Sequence, residues 1–207
     1  TPNPSSPNKT PKLKMEKPAV IIDSGAKQIK CGFGREENPK YCFPSLVAKP
    51  LYDTKDYFEE PDIFFGQEGL DRRDVMDITF SKNRNEDWNF FAMKQIWRHI
   101  YHDKLKVEPE EQPILISESP LNSKRNREET MKFFFEDLKA PAFFMCPQSV
   151  LSLYSSGKTT GLVLDSGENN TFVEVVYEGT RHQATTSATR SPRTASAAAR
   201  SPRTSCS

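Results

Sequence analysis

Apolar positions in this chain follow two rhythms. Short runs rich in β-branched and aromatic residues, bounded by turn formers, predict strands at Ala19–Ile22, Gln28–Phe33, Tyr41–Phe43, Pro113–Ser117, Ala142–Cys146, Gly161–Asp165 and 171–177, with Ile63-Phe64-Phe65-Gly66 a further short apolar segment that closes a loop. Asp23-Ser24-Gly25 follows the first run directly, so a hairpin turning at Ser24–Lys27 joins the first two strands. Between strands the spacing changes to three and four residues. Trp88, Phe91, Ala92, Ile96, Trp97 and Ile100 predict one amphipathic helix, and Met131, Phe134, Phe135 and Leu138 predict a second over Ser123–Leu138. A shorter helix, Gln148–Tyr154, ends at Gly157. An opening meander followed by alternating strands and helices implies an α/β fold, a mixed sheet with flanking helices.

One pattern repeats. Val20-Ile21-Ile22-Asp23-Ser24-Gly25 returns as Leu162-Val163-Leu164-Asp165-Ser166-Gly167, each time leading into another strand. A duplicated unit would open twice in this way. The chemistry of such a turn is definite. Backbone N–H groups in a tight Gly-containing turn make an anion-binding concavity, and an aspartate delivered by a buried strand can hold a metal-bound water. Two turns facing each other would grip phosphates and Mg²⁺ from both sides.

Composition divides the chain. A hydrophobic fraction of 35% is low for one compact domain of 207 residues, as is a mean hydropathy of −0.69. The formal charge of +1 averages unlike parts: residues 1–18 and 180–207 together carry +8, and 19–179 carries −7. Positive charge outside the folded body excludes a basic nucleic-acid-binding core. Residues 1–18 hold five of the sixteen prolines and read as a disordered leader. Residues 180–207 hold twelve Ser/Thr, no apolar residue beyond Ala and Cys, and two copies of RSPRT, and read as a disordered tail that cannot complete a core. That tail reads more readily as an ending foreign to the fold than as a basic arm phosphorylated at Ser191 and Ser201.

Cys31, Cys42, Cys146 and Cys206 show no metal or disulfide spacing with one another or with His99, His102 and His182. No apolar run approaches a membrane span or a signal peptide, so the expected setting is cytoplasmic, with the nucleus second. The sequons at Asn8 and Asn169 are then chance matches, and the paired phenylalanines read as core.

Residues 20–50, 113–126 (PILISESPLNSKRN), 148–167 (QSVLSLYSSGKTTGLVLDSG) and Tyr177-Glu178-Gly179 resemble actin and the actin-related proteins. The resemblance implies the actin-like, ribonuclease H-like superfold, in which two related domains clasp ATP. It divides the chain into a first domain at 19–158 and an incomplete start of the second at 159–179. By that similarity Asp23 and Asp165 would hold Mg²⁺ through water. Ser24, Gly25, Ser166 and Gly167 would cradle the phosphates of ATP or ADP, Lys30 would reach them, and Gln148 would position the attacking water, with Asp165 in support.

The departures from the family pattern weaken that expectation. Ala26 and Lys27 replace a Ser and a Gly in the first turn, and Glu168-Asn169 stands where the family has Asp-Gly. Phe172 occupies the place of a His, and an apolar ring cannot orient water. The expected function is a divergent actin-like protein with a cytoskeletal or assembly role, working through contacts with actin or other complex subunits, with weak nucleotide binding and slow or absent hydrolysis. The alternatives are an ATP-dependent enzyme of the same superfold, an ATPase or small-molecule kinase, and an actin-related subunit of a nuclear chromatin complex. No membrane contact and no direct nucleic-acid contact by the folded core are expected. The acidic loop at 52–62 holds the position of an exposed filament-contact loop in actin.

Overall fold

The computed structural model describes residues 17–51, 63–82, 88–120 and 122–187, of which 183–187 are described in backbone only. Residues 1–16 of the leader, the 52–62 loop, residues 83–87 and 121 and everything after 187 lie outside the described residues.

Five strands form the main sheet in the order β3-β2-β1-β7-β8. β1 (Val20–Ser24), β2 (Gln28–Phe33) and β3 (Tyr41–Pro44) make the opening meander. β7 (Ile114–Glu118) and β8 (Phe143–Pro147) add parallel to β1. Alternation along β1 sorts its side chains: Val20, Ile22 and Ser24 point into the core, and Ile21 and Asp23 to the other face. Ile29, Cys31, Ile114 and Ile116 extend the buried face.

Two helices close that face. α2 (Phe90–His99) starts where the Asn89 side chain accepts a hydrogen bond from the Ala92 N–H at 3.1 Å. α3 (Lys124–Lys132) starts where the Ser123 hydroxyl does the same for Asn126 at 3.1 Å. Each runs into a wider π-helical turn, at Ile100–Leu105 and Phe133–Asp137. The wider turn rotates the face that ideal spacing anticipates. Phe133, where the second wide turn begins, is buried beside Phe134, and Phe135 is about half exposed; Met131, ahead of that turn, is also about half exposed, contrary to the expected stripe. Phe91 is likewise exposed, and Met93 is buried in its place.

A small antiparallel sheet, order β5-β4-β6, packs beside the first. It contains β4 (Leu46–Pro50), β5 (Phe64–Phe65) and β6 (Met76–Phe80), with the short α1 (Gln67–Asp71) over it. His99 joins the two bodies, stacked on Phe65 at 4.1 Å and edge-on to Phe43. Burial lowers its pKa against the pull of its Asp103 partner.

After α4 (Gln148–Ser155), a third sheet follows in the order β11-β10-β9, from β9 (Gly161–Ser166), β10 (Thr171–Tyr177) and β11 (Thr180–Ser187). This corrects the expectation that folded structure ends at 179. Tyr177 pairs with Thr180 across a two-residue turn in which Glu178 and Gly179 both have positive φ, 49° and 75°. That is the turn whose twist suits a hairpin. A Cβ at residue 179 would also lie 2.3 Å from the Tyr154 hydroxyl of α4, a contact that this exposed side chain could relieve by swinging aside, so the positive φ is the firmer reason for glycine here. The third strand is tied inward by Arg181, which lies 3.5 Å from the buried Glu174 carboxylate and donates to the Pro120 carbonyl at 3.0 Å.

The thiols report on this packing. Burial pushes the Cys31 pKa up to about 11, whereas Cys42, one strand away, is exposed. Iodoacetamide at pH 8 should label Cys42 within minutes and leave Cys31 unmodified until denaturant is added, as peptide mass mapping would read. Prompt labelling of Cys31 in the native chain would contradict the β1–β2–α2 packing.

Candidate functional site

The carboxyl ends of β1 and β7 lie side by side, because parallel pairing sets Ile22 against Ile116. The next residues, Asp23 and Ser117, therefore leave the sheet together. The Ser117 hydroxyl donates to Asp23 Oδ1. Gln148, the first residue of α4, donates from Nε2 to the same oxygen at 3.0 Å and lies 3.4 Å from Ser117 Oγ. From the neighbouring strand Lys30 places its Nζ 3.9 Å from Asp23 Oδ2. A cluster thus forms where parallel strands end and a helix begins, a favoured location for ligands in α/β sheets.

β9 brings the second turn to the opposite wall. Asp23, Lys30, Gln148, Asp165 and Gly167 line one cavity of about 980 Å³. The two hairpins match in register but not in chemistry: Asp23 faces Lys30 across its ladder, and Asp165 faces Phe172. Phe172 is buried and forms part of the cavity wall.

Most residues expected at the site are brought together here, including Asp23, Gly25, Lys30, Gln148, Asp165, Ser166 and Gly167. Ser24 is not. Strand alternation turns its side chain into the core, where its hydroxyl accepts from Trp97 Nε1 at 3.3 Å, which leaves its backbone as the part that could meet a phosphate. The second turn is also partly self-satisfied: the Gly167 N–H donates to the Asn170 carbonyl at 2.9 Å, and Ser166 Oγ lies 2.9 Å from Thr171 Oγ1. Gly25 keeps the role its turn demands, since a Cβ there would approach the Gln28 carbonyl oxygen to 2.6 Å.

Sequence reasoning missed two contacts. Ser117 is the nearest partner of Asp23, and its signal was a hydroxyl at the end of an apolar strand destined to lie parallel to β1. Lys27 and Glu168 meet across the cavity mouth with Nζ and Oε2 3.6 Å apart. Both are departures from the family pattern in separate turns, and their meeting depends on tertiary packing.

The donor set fits a magnesium–polyphosphate group in kind. Two carboxylates, Asp23 and Asp165, face one cavity together with the cations of Lys27 and Lys30 and a glycine turn that admits close backbone approach. Among the described residues no cluster of three or more His, Cys, Asp or Glu could hold a metal by itself, so an ion here would need ligand oxygens or water. No helix among them is long and apolar enough to cross a membrane.

A family model described as Actin matches residues 14–192, which includes both turns, α4 and the whole of β11. With the five-stranded mixed sheet, its flanking helices and the echoed strand-turn units, this match shows that the chain belongs to the actin family.

Proposed function

We propose that this chain works as a divergent actin-family protein in a cytoskeletal or assembly role, through contacts with actin or other complex subunits, and that its cleft takes Mg²⁺ with ATP or ADP weakly and hydrolyses ATP slowly or not at all. The observation that carries this reading is the state of the groups that would handle water. The Gln148 amide is held by Asp23 and Ser117, and the wall beside Asp165 is the phenyl ring of Phe172. The Phe172 ring offers neither a base nor an acceptor to an attacking water, and Gln148, with its Nε2 committed to Asp23 and Ser117, keeps only an amide oxygen as acceptor and supplies no base.

When bound, magnesium would supply charge neutralisation for the phosphates. Asp23 and Asp165 are the residues that would hold it through water, with Lys30 toward the phosphate oxygens and Gly25 giving room at the first turn. The assembly half of the reading draws on exposed apolar surface. Leu162 and Leu164 are each 68% exposed on the outer face of β9, beside the exposed Val175 and Tyr177 of β10. Such a face suits a protein partner better than water. The setting that goes with this reading is the cytoplasm.

Equilibrium titration with a fluorescent ATP analogue and Mg²⁺, alongside a phosphate-release assay, tests the nucleotide half. A Kd weaker than about 10 μM is expected, with release no faster than in buffer. Asp23→Asn should weaken binding by about tenfold further, because it removes the charge that would hold the ion. Micromolar affinity with sustained phosphate release would instead favour the ATPase or small-molecule kinase reading.

A further inference from the structure

The cavity mouth is spanned by charges that come from the two different turns. Lys27 sits at the tip of the β1–β2 hairpin, and its carbonyl accepts from the Ser45 N–H at 2.9 Å, which anchors its backbone to the first body. Glu168 sits at the tip of the β9–β10 hairpin, whose turn is closed by the Gly167–Asn170 bond. The ammonium and carboxylate meet at 3.6 Å. Both turn tips line the cavity that also holds Asp23, Lys30 and Asp165.

We propose that the Lys27–Glu168 pair is a built-in clasp that closes the cleft without a ligand, and that a polyphosphate enters by taking Lys27 away from Glu168. The inference rests on the reading that the cleft takes a polyphosphate, and it adds how entry is controlled. Three features support it. The pair is the charge-matched replacement for a bridging anion: a ligand phosphate would sit between the two turns, and here a carboxylate carried by one turn occupies the cation of the other. The Glu168 carboxylate also adds to the negative charge of a cavity already lined by Asp23, Asp165, Glu36 and Glu37, so it opposes an incoming phosphate. The pair is exposed enough to be reversible, with about two thirds of the Lys27 side chain and one third of the Glu168 side chain accessible. Ion pairs of that exposure hold weakly and are screened by salt, so a multiply charged ligand can displace one.

Isothermal titration with inorganic tripolyphosphate and Mg²⁺ tests the clasp on the phosphate subsite alone. It would use the full chain, Glu168→Gln, Lys27→Gln and the double variant. Glu168→Gln should bind about five- to tenfold more tightly than the parent, since Lys27 is released and a repelling charge is lost. Adding Lys27→Gln to Glu168→Gln should return affinity to the parental level or below.

If the parent binds and Glu168→Gln binds no more tightly, the clasp is overturned and the cleft reading stands. If no variant binds, both fall. A ligand-free measurement separates closure from affinity. Amide hydrogen exchange at 25–28 and 167–170 should quicken by threefold or more in each single variant, because either loss unties the turns. Unchanged exchange in both would also overturn the clasp.

Discussion

Trp97→Ala should lower the unfolding free energy by about 3–5 kcal/mol, read from urea denaturation followed by circular dichroism. Trp97 is fully buried and its indole lies between the sheet and both helices. Its ring centre is 5.4 Å from Phe133, 5.1 Å from Phe134 and 6.0 Å from Trp88. Truncation removes the largest fully buried side chain of this core and leaves a cavity that neighbours anchored on the turn after α3 and on the segment before α2 cannot fill by a small shift. The same residue reaches the candidate site, since its Nε1 donates to Ser24 at the end of β1.

Trp97→Phe separates these roles. It keeps most of the aromatic volume but strands a buried hydroxyl, so it should cost about 1–3 kcal/mol. Its effect on tripolyphosphate binding should exceed that of an equally destabilising substitution remote from β1, such as Leu105→Val. A loss below 1 kcal/mol for the alanine variant would mean that α2 does not pack as described.

The legible part of the fold was the part written in local pattern. The apolar runs gave the strands of the main sheet, and helical spacing gave α2, α3 and α4. The echo of 20–25 in 162–167 located both walls of the cleft before any packing was known. Elements that are locally unremarkable stayed hidden. β4 is three buried residues followed by Lys49-Pro50, too short to show alternation, and β6 and α1 are equally brief. β11 is a Thr-rich, largely polar strand whose composition matches a tail. Its one local signal was the Glu178-Gly179 turn after Tyr177. The π-helical turns after α2 and α3 have no periodic signature short of knowing which phenylalanines the core accepts.

The site divides along the same line. Asp23, Gln148 and Asp165 were recognisable because each stands at the edge of a regular element. The direction of Ser24 was in principle available, since alternation from Val20 and Ile22 assigns it to the core. The Lys27–Glu168 meeting was not, because residues 141 positions apart in sequence meet only through tertiary packing.

Arg127→Ala should be the most damaging change to a charged residue, costing about 3 kcal/mol. Glu118 ends β7 with its side chain only 7% exposed. Its carboxylate accepts from Arg127 Nε at 2.7 Å and from Nη2 at 2.9 Å, and Asn122 Nδ2 donates to it at 3.0 Å. Two parallel bonds from one guanidinium fix geometry as well as charge, and a lysine at this position could not reproduce them. Removing the arginine leaves a nearly buried carboxylate with the asparagine amide as its remaining donor among these contacts. The figure sits at the low end for a broken buried pair because Arg127 itself is 42% exposed and water can partly replace it. The double variant Arg127→Leu/Glu118→Leu should lose clearly less than the single alanine change, since it removes the stranded charge along with its partner. Equal losses in the two would mean that packing of the arginine stem, rather than its charge, holds α3 to the sheet. The consequence for the cleft follows from register. Glu118 is the next residue after Ser117, and Ser117 holds Asp23, so loosening the end of β7 should weaken tripolyphosphate binding in Arg127→Ala even under conditions where the chain remains folded.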